Sequence, residues 1–99
     1  MHPIWLATLD KARPVLILTR REVVEVRSMI TLAPITTTVR GLSSEIDVGV
    51  ANGLDRACVV NLDSINTVSR AVLIRPIGAL LAHQEVQLTR ALHAAFDLE

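Results

Sequence analysis

Before residue 84 no long stretch of this chain sustains a helical period. Short apolar runs follow one another at close spacing instead, each cut off by proline, glycine or a polar turn: Ile4–Leu9, Val15–Leu18, Ile30–Ala33, Ala57–Leu62. Runs of that length and punctuation suit strands. Only the tail changes period. There Val86, Leu88, Leu92, Ala95 and Phe96 share one stripe, which predicts a helix over residues 84–96. Many short strands and one terminal helix predict a mainly β (α+β) fold, a small barrel with a helical lid. All 99 residues belong to a single domain.

In chain order, Ile4–Leu9 reads as a first strand and Asp10-Lys11-Ala12 as a tight connection. Arg13–Thr19 reads as a second strand, apolar at consecutive positions and therefore buried on both faces. Residues 20–27 fit either a helical turn or a continued strand. Ser28–Ile35 reads as a third strand, with Pro34 marking a strand edge or a bulge, and Pro14 marks a strand start or edge. After a turn at Arg40–Ser44, Glu45–Val48 alternates as a half-exposed strand does. Asn52-Gly53 carries a hairpin-turn signal. Ala57–Leu62 and Ile65–Val68 follow as short strands, Ser69–Leu73 as one helical turn, and Arg75–Leu80 as a last edge strand.

Chemistry gathers at the ends of the second and third strands. Arg13 precedes one, and the hydroxyls of Thr36, Thr37 and Thr38 follow the other. Paired strands would let a guanidinium and a threonine cluster share one site, an arrangement that suits phosphate: arginine offers a flat fork of donors, threonine a compact hydroxyl. A solvated edge arginine and plain β-propensity explain the same residues without function. Arg40, before Gly41, also fits a solvated turn, and Asp63-Ser64 fits a turn or a polar site wall.

Net charge is zero but unevenly spread. Residues 1–43 carry six basic groups against three acidic ones, and residues 44–99 carry four against seven. A nucleic-acid partner would be held by a local patch, not by the overall field. With only Trp5 and Phe96 as aromatics, gripping single strands by stacking is disfavoured; Arg, hydroxyls and backbone groups must do it. The chain is 51% hydrophobic before its four glycines are counted, against ~45–50% for both together in ordinary domains. That surplus points to a buried interface, most simply a twofold homodimer, with a well-packed monomer as the alternative. Cys58 is the only cysteine, so no intramolecular disulfide can form, and the chain reads as cytoplasmic. Apolar neighbours make it a buried small side chain rather than a nucleophile. His2, His83 and His93 lack metal-ligand spacing, so no metal or other cofactor is expected. Nothing resembles a signal peptide or a membrane span.

Taken together, Ile4-Trp5-Leu6-Ala7-Thr8-Leu9-Asp10, Arg13-Pro14-Val15-Leu16-Ile17-Leu18, Ala33-Pro34-Ile35-Thr36-Thr37-Thr38-Val39-Arg40-Gly41-Leu42, Gly53-Leu54-Asp55-Arg56 and Ile77-Gly78 are more specific than any one alone. In this order and spacing the chain resembles the MazF/PemK family of toxin–antitoxin endoribonucleases, and looks closest to the compact mycobacterial MazF toxins. The resemblance implies an SH3-like barrel of the CcdB/MazF type, a homodimer, and a MazE-like antitoxin whose flexible tail fills the RNA groove. It further implies metal-independent cleavage of single-stranded RNA at short sequences, with Arg13 and Thr36 as the catalytic pair. Lys11, Thr37, Thr38, Arg40, Ser64 and Asn66 are the candidate RNA contacts.

Two departures from the family pattern matter. Many members carry a longer Gly-rich loop between the first two strands, and here only Asp10-Lys11-Ala12 remains. An open site and structured targets such as tRNA or rRNA loops follow as expectations. Where the family often has Asp-Gln-Ile-Arg, this chain has Asp63-Ser64-Ile65-Asn66, which implies altered base readout. Two rival functions share the barrel. One is a gyrase poison like CcdB, which acts through a C-terminal Trp-Gly-Ile, whereas this sequence reads Phe96-Asp97-Leu98-Glu99. The other is an inactive paralogue that only sequesters antitoxin.

Overall fold

The computed structural model describes residues 1–98; Glu99, the last residue of the C-terminal tetrapeptide, lies outside them. Seven strands form one curled antiparallel sheet: β1 (Pro3–Thr8), β2 (Ala12–Ile17), β3 (Met29–Thr36), β4 (Glu45–Val48), β5 (Cys58–Asn61), β6 (Asn66–Ser69) and β7 (Leu73–Ala79). Their order is β4-β5-β3-β2-β1-β7, with β6 pairing the first half of β3. Two helices complete the fold, α1 (Arg21–Val24) and α2 (Ala82–Ala95). The ambiguous residues 20–27 thus resolve as a short helix, and Ser69–Leu73 as a 3₁₀ turn over Arg70–Val72. None of the described helices is long and apolar enough to cross a membrane.

Strand β2 is buried on both faces, as its unbroken apolar run predicts. Leu16 joins Ala33, Ile35, Val60 and Leu88 in a core roofed by α2, while Val15 and Ile17 point the other way into a second cluster with Ile30 and Leu32. Side chains alternate across a strand, so neighbouring residues on β2 and β3 feed different clusters. Truncating Leu16 or Ile35 would cost about 2–5 kcal/mol.

Pro34 corrects one expectation. It lies inside the sheet, opposite Val15, and not on an edge strand. On its other side β3 pairs with β6 through Leu32 and with β5 from Ile35. The proline therefore occupies the gap where β3 changes partner, and its missing N–H interrupts neither ladder. Pro14 is accommodated similarly: it pairs with Leu6 of β1 and lies just before the β2–β3 register begins.

The Asn52-Gly53 signal does not close a two-residue hairpin. A 3₁₀ turn at Val50–Asn52 ends on Gly53 (φ 91°), and the β4–β5 connection runs on to residue 57. This loop is locked in place. A Cβ on Gly53 would come within 2.5 Å of the Ile77 carbonyl oxygen, and one on Gly78 would overlap the Asn52 carbonyl. The two glycines let the loop backbone lie directly on β7.

Beneath the same loop, Asn52 and Gln84 bury their amides against each other. Asn52 Nδ2 donates to Gln84 Oε1 (2.6 Å) and to the Ala79 carbonyl (3.0 Å). Gln84 Nε2 donates to the Asp47 carbonyl (3.0 Å), and Gln84 Oε1 accepts from Leu81 N–H (2.8 Å) at the start of α2. Gln84, Leu88 and Ala91 form the buried face of α2, flanked by Leu92 and Ala95. Val86 and Phe96, assigned to that stripe from sequence, are more than half exposed. Val86 lies two residues from Gln84, about 200° around a helix, and so faces away.

Candidate RNA-cleavage site

Pairing of β2 with β1 and β3 brings the beginning of β2 beside the end of β3. Between them opens a cavity of about 490 Å³ lined by Lys11, Arg13, Thr36, Thr37, Asp55 and Arg56, with Ile35, Leu54 and Cys58 among its apolar walls. Of the guanidinium and threonine cluster anticipated from sequence, Arg13, Thr36 and Thr37 share this one cavity.

Arg13 is held by a residue that sequence reasoning passed over. Asp10 sits three positions earlier, across the tight β1–β2 turn. Its carboxylate accepts from Arg13 Nε at 2.9 Å and from Nη2 at 3.2 Å, a bidentate clamp. The clamp lowers the Asp10 carboxyl from its ordinary 3.8 to about 2 and raises the Arg13 guanidinium further. Two of the five guanidinium N–H groups are engaged this way and three remain for a ligand. The i, i+3 spacing of opposite charges across a three-residue turn was the available signal.

Thr36 is half-buried at the end of β3. Its Oγ1 accepts from the Thr38 backbone N–H at 3.1 Å, so its own O–H stays free to donate into the cavity. Beyond it, the Glu45 carboxylate gathers the backbone N–H groups of Arg40 (3.2 Å), Gly41 (2.9 Å) and Leu42 (3.1 Å). This contact, also unforeseen, ties the loop after Thr36 to β4.

Of the remaining sequence candidates, Lys11 and Thr37 line the cavity, and Thr38, Arg40, Ser64 and Asn66 do not. Thr38 contributes its backbone to Thr36 and Arg40 its N–H to Glu45. Ser64 accepts from Asn61 Nδ2 (3.1 Å) in the 3₁₀ turn after β5, which is the turn reading of Asp63-Ser64. Asn66 opens β6 opposite Leu32. Neither aromatic enters: Trp5 packs on the second core cluster and Phe96 is exposed on the helix end. Cys58 is buried, and burial raises its thiol pKa, as expected of an inert core cysteine. His2 bonds Glu85 at 2.6 Å, and neither lines the cavity. Among the described residues no group of three or more His, Cys, Asp or Glu is arranged to hold a metal ion.

Comparison with known proteins places the chain in a family. Residues 3–96 match the model of the PemK-like, MazF-like toxins of type II toxin–antitoxin systems. The chain is 52% identical over all 99 residues to endoribonuclease MazF3 of Mycobacterium tuberculosis, covering 96% of that protein. It is 37% identical over 86 residues to the probable endoribonuclease MazF5 of the same organism, covering 79% of it. Among solved structures, the M. tuberculosis toxin MazF-mt6 superposes with a TM-score of 0.94 at 52% identity, over 98% of each chain. MazF from a MazE–MazF complex of Deinococcus radiodurans shares the fold at 18% identity, with a TM-score of 0.78 over 99% of this chain and 93% of the other. On the family match over residues 3–96 and the 52% identity over the full chain, the chain belongs to the PemK-like, MazF-like toxin family of type II toxin–antitoxin systems.

Proposed function

We propose that this protein is the endoribonuclease toxin of a type II toxin–antitoxin system, cutting single-stranded RNA at short sequences by attack of a ribose 2′-OH on the adjacent phosphate. One observation carries the reading: Arg13, clamped in place by Asp10, and Thr36, with a free hydroxyl, line one open cavity.

In this reaction the 2′-oxygen forms a bond to phosphorus and gives up its proton to solvent. The bond from phosphorus to the 5′-oxygen breaks, and that oxygen takes a proton. The products are a 2′,3′-cyclic phosphate and a 5′-hydroxyl. Negative charge grows on the non-bridging oxygens at the transition state. Arg13 stabilises it with the N–H groups that Asp10 leaves free, and Thr36 adds a fixed hydroxyl donor. Neither role needs a metal ion. The short β1–β2 turn leaves the cavity uncovered on that side, which admits loops of structured RNA as well as extended strands. The protein works in the cytoplasm as a homodimer, burying part of the apolar surface that one chain leaves exposed, including Met29, Val39 and Ile74. A MazE-like antitoxin restrains it by filling the RNA groove.

The test is incubation of the purified protein and its Arg13→Ala variant with total cellular RNA in excess EDTA, followed by mapping of new 5′ ends. The parent cuts at one short motif, and the variant loses at least the 10²–10³-fold that removal of one transition-state donor costs. Equal cleavage by both proteins would remove Arg13 from the mechanism. No cleavage by either, with both folded, would leave a gyrase-directed or antitoxin-sequestering protein.

A further inference from the structure

The cavity holds a second guanidinium that the mechanism above does not use. Arg56 lies on the β4–β5 loop and lines the same cavity as Arg13 and Thr36. Its situation is the reverse of Arg13's. Arg13 is bidentate to Asp10, whereas Arg56 Nε stands 3.6 Å from Asp55 Oδ1, beyond hydrogen-bonding distance, with its side chain 68% exposed. Among the described residues Arg56 makes no side-chain hydrogen bond, and its one ion pair, to the exposed Asp55, is loose enough to leave its donors available to a ligand.

A free arginine on a mobile loop would mean little, but this loop is fixed. Gly53 and Gly78 hold its backbone against β7, and the buried Asn52–Gln84 pair fastens its first turn to α2. Leu54, buried at 8% exposure, anchors the residues just before Asp55 and Arg56 in the main core. The scaffold thus delivers Arg56 to the cavity wall while leaving its guanidinium uncommitted.

We infer that Arg56 forms a second phosphate subsite, gripping a phosphodiester next to the scissile one while Arg13 and Thr36 act on the scissile phosphate itself. This rests on the ribonuclease reading above. A polyanion that lays two phosphates in one cavity needs two cationic contacts. The stiff, clamped one suits the charge that grows in the transition state. The unclamped one suits ground-state binding, where it can follow the backbone of whichever RNA is bound. Arg56 is therefore a binding residue, and its removal should raise KM more than it lowers kcat.

The experiment is an ionic-strength series. The probe is a fluorescein-labelled eight-nucleotide RNA spanning the strongest mapped cleavage site, with 2′-deoxyribose at the attacking nucleotide so that it binds but cannot be cut. Dissociation constants are read by anisotropy from 50 to 200 mM salt for the parent, Arg56→Gln and Arg56→Lys. Each phosphate contact on a single strand contributes about 0.7 to the slope of log affinity against log salt. Arg56→Gln should bind about fivefold more weakly at 50 mM, with a slope shallower by about 0.7 and the gap to the parent narrowing about 2.5-fold by 200 mM. Arg56→Lys should keep the parental slope. A structural role for Arg56 would weaken binding equally at every salt concentration, and that result, or an unchanged affinity, would overturn the inference while the ribonuclease reading stands. A parent that neither cleaves RNA nor binds the probe would overturn both.

Discussion

Replacing Gln84 with alanine tests whether the buried amide pair holds the site's scaffold together. Gln84 is 6% exposed and serves four groups: Leu81 N–H, the Asp47 carbonyl, and both ends of the Asn52 amide. Alanine leaves Leu81 N–H without its acceptor at the start of α2 and takes a donor from Asp47. Asn52 keeps only the Ala79 carbonyl and Gly49 N–H. A buried polar group stripped of its partner costs about 1–3 kcal/mol, and water entering the vacated space recovers part of that for some of the four. The expected loss is about 3 kcal/mol, a fall in Tm of roughly 12–24 °C for a domain of this size. Urea unfolding at one fixed protein concentration measures it, with the m-value as the check that the denatured state is unchanged. Asn52→Ala dismantles the same network, so the double variant should lose about 1–2 kcal/mol less than the sum of the two singles. A loss below about 1 kcal/mol for Gln84→Ala, or strict additivity, would show that the amides are solvated or independent, and that the loop bearing Arg56 is held by glycine packing alone.

Two further perturbations follow from the geometry. Asp10 has its carboxyl lowered from 3.8 to about 2, so its stabilising contribution is present above pH 4 and is lost as pH falls through about 2. The difference in stability between the parent and Asp10→Asn, small because the pair is exposed, should be constant above pH 5 and shrink between pH 4 and 3. At neutral pH the same variant should lose kcat, as Arg13 is released from its clamp; a pH-independent difference or full activity would refute the clamp. Gly78→Ala would drive a Cβ into the Asn52 carbonyl and should cost roughly 3 kcal/mol or more in unfolding free energy, whereas Gly41→Ala, with no atom within 4 Å, should show only the smaller penalty of its positive φ.

What the sequence revealed and what it hid divide along physical lines. Strands β2 and β3 were legible because an apolar run bounded by turn residues has few other ways to bury itself, and their pairing put Arg13 and Thr36 in one cavity. Strand β4 was readable from alternation alone. Pro34 was misplaced because a proline reads locally as an edge, and only the topology reveals that β3 exchanges one partner for another beside it. The helix stripe was assigned from hydrophobicity, which favoured Val86 and Phe96 over Gln84. An amide enters a core only when specific partners await it, and those lie 32 and 37 residues away. Gly53 and Gly78 were visible as motif members, but their reason, two backbones in contact, requires both segments in space.

The clamp on Arg13 also bears on what that residue can do. A general acid works best when its pKa lies near the operating pH, and an arginine already sits above ~12. Hydrogen bonding and charge from Asp10 raise it further, so the geometry moves Arg13 away from proton transfer. What the clamp supplies is orientation: a planar fork held from one side presents its other donors along a fixed direction. Stabilisation of developing charge depends on donors that need no reorganisation when the charge appears. The same Asp10 contact that makes Arg13 a poor acid would make it a better electrostatic catalyst in the proposed reaction. In the proposed reaction the protons exchanged at the 2′-oxygen and the 5′-oxygen would then pass through solvent, which the open cavity admits. A cavity with no histidine in its walls leaves positioned charge as the means by which the proposed cleavage would be catalysed.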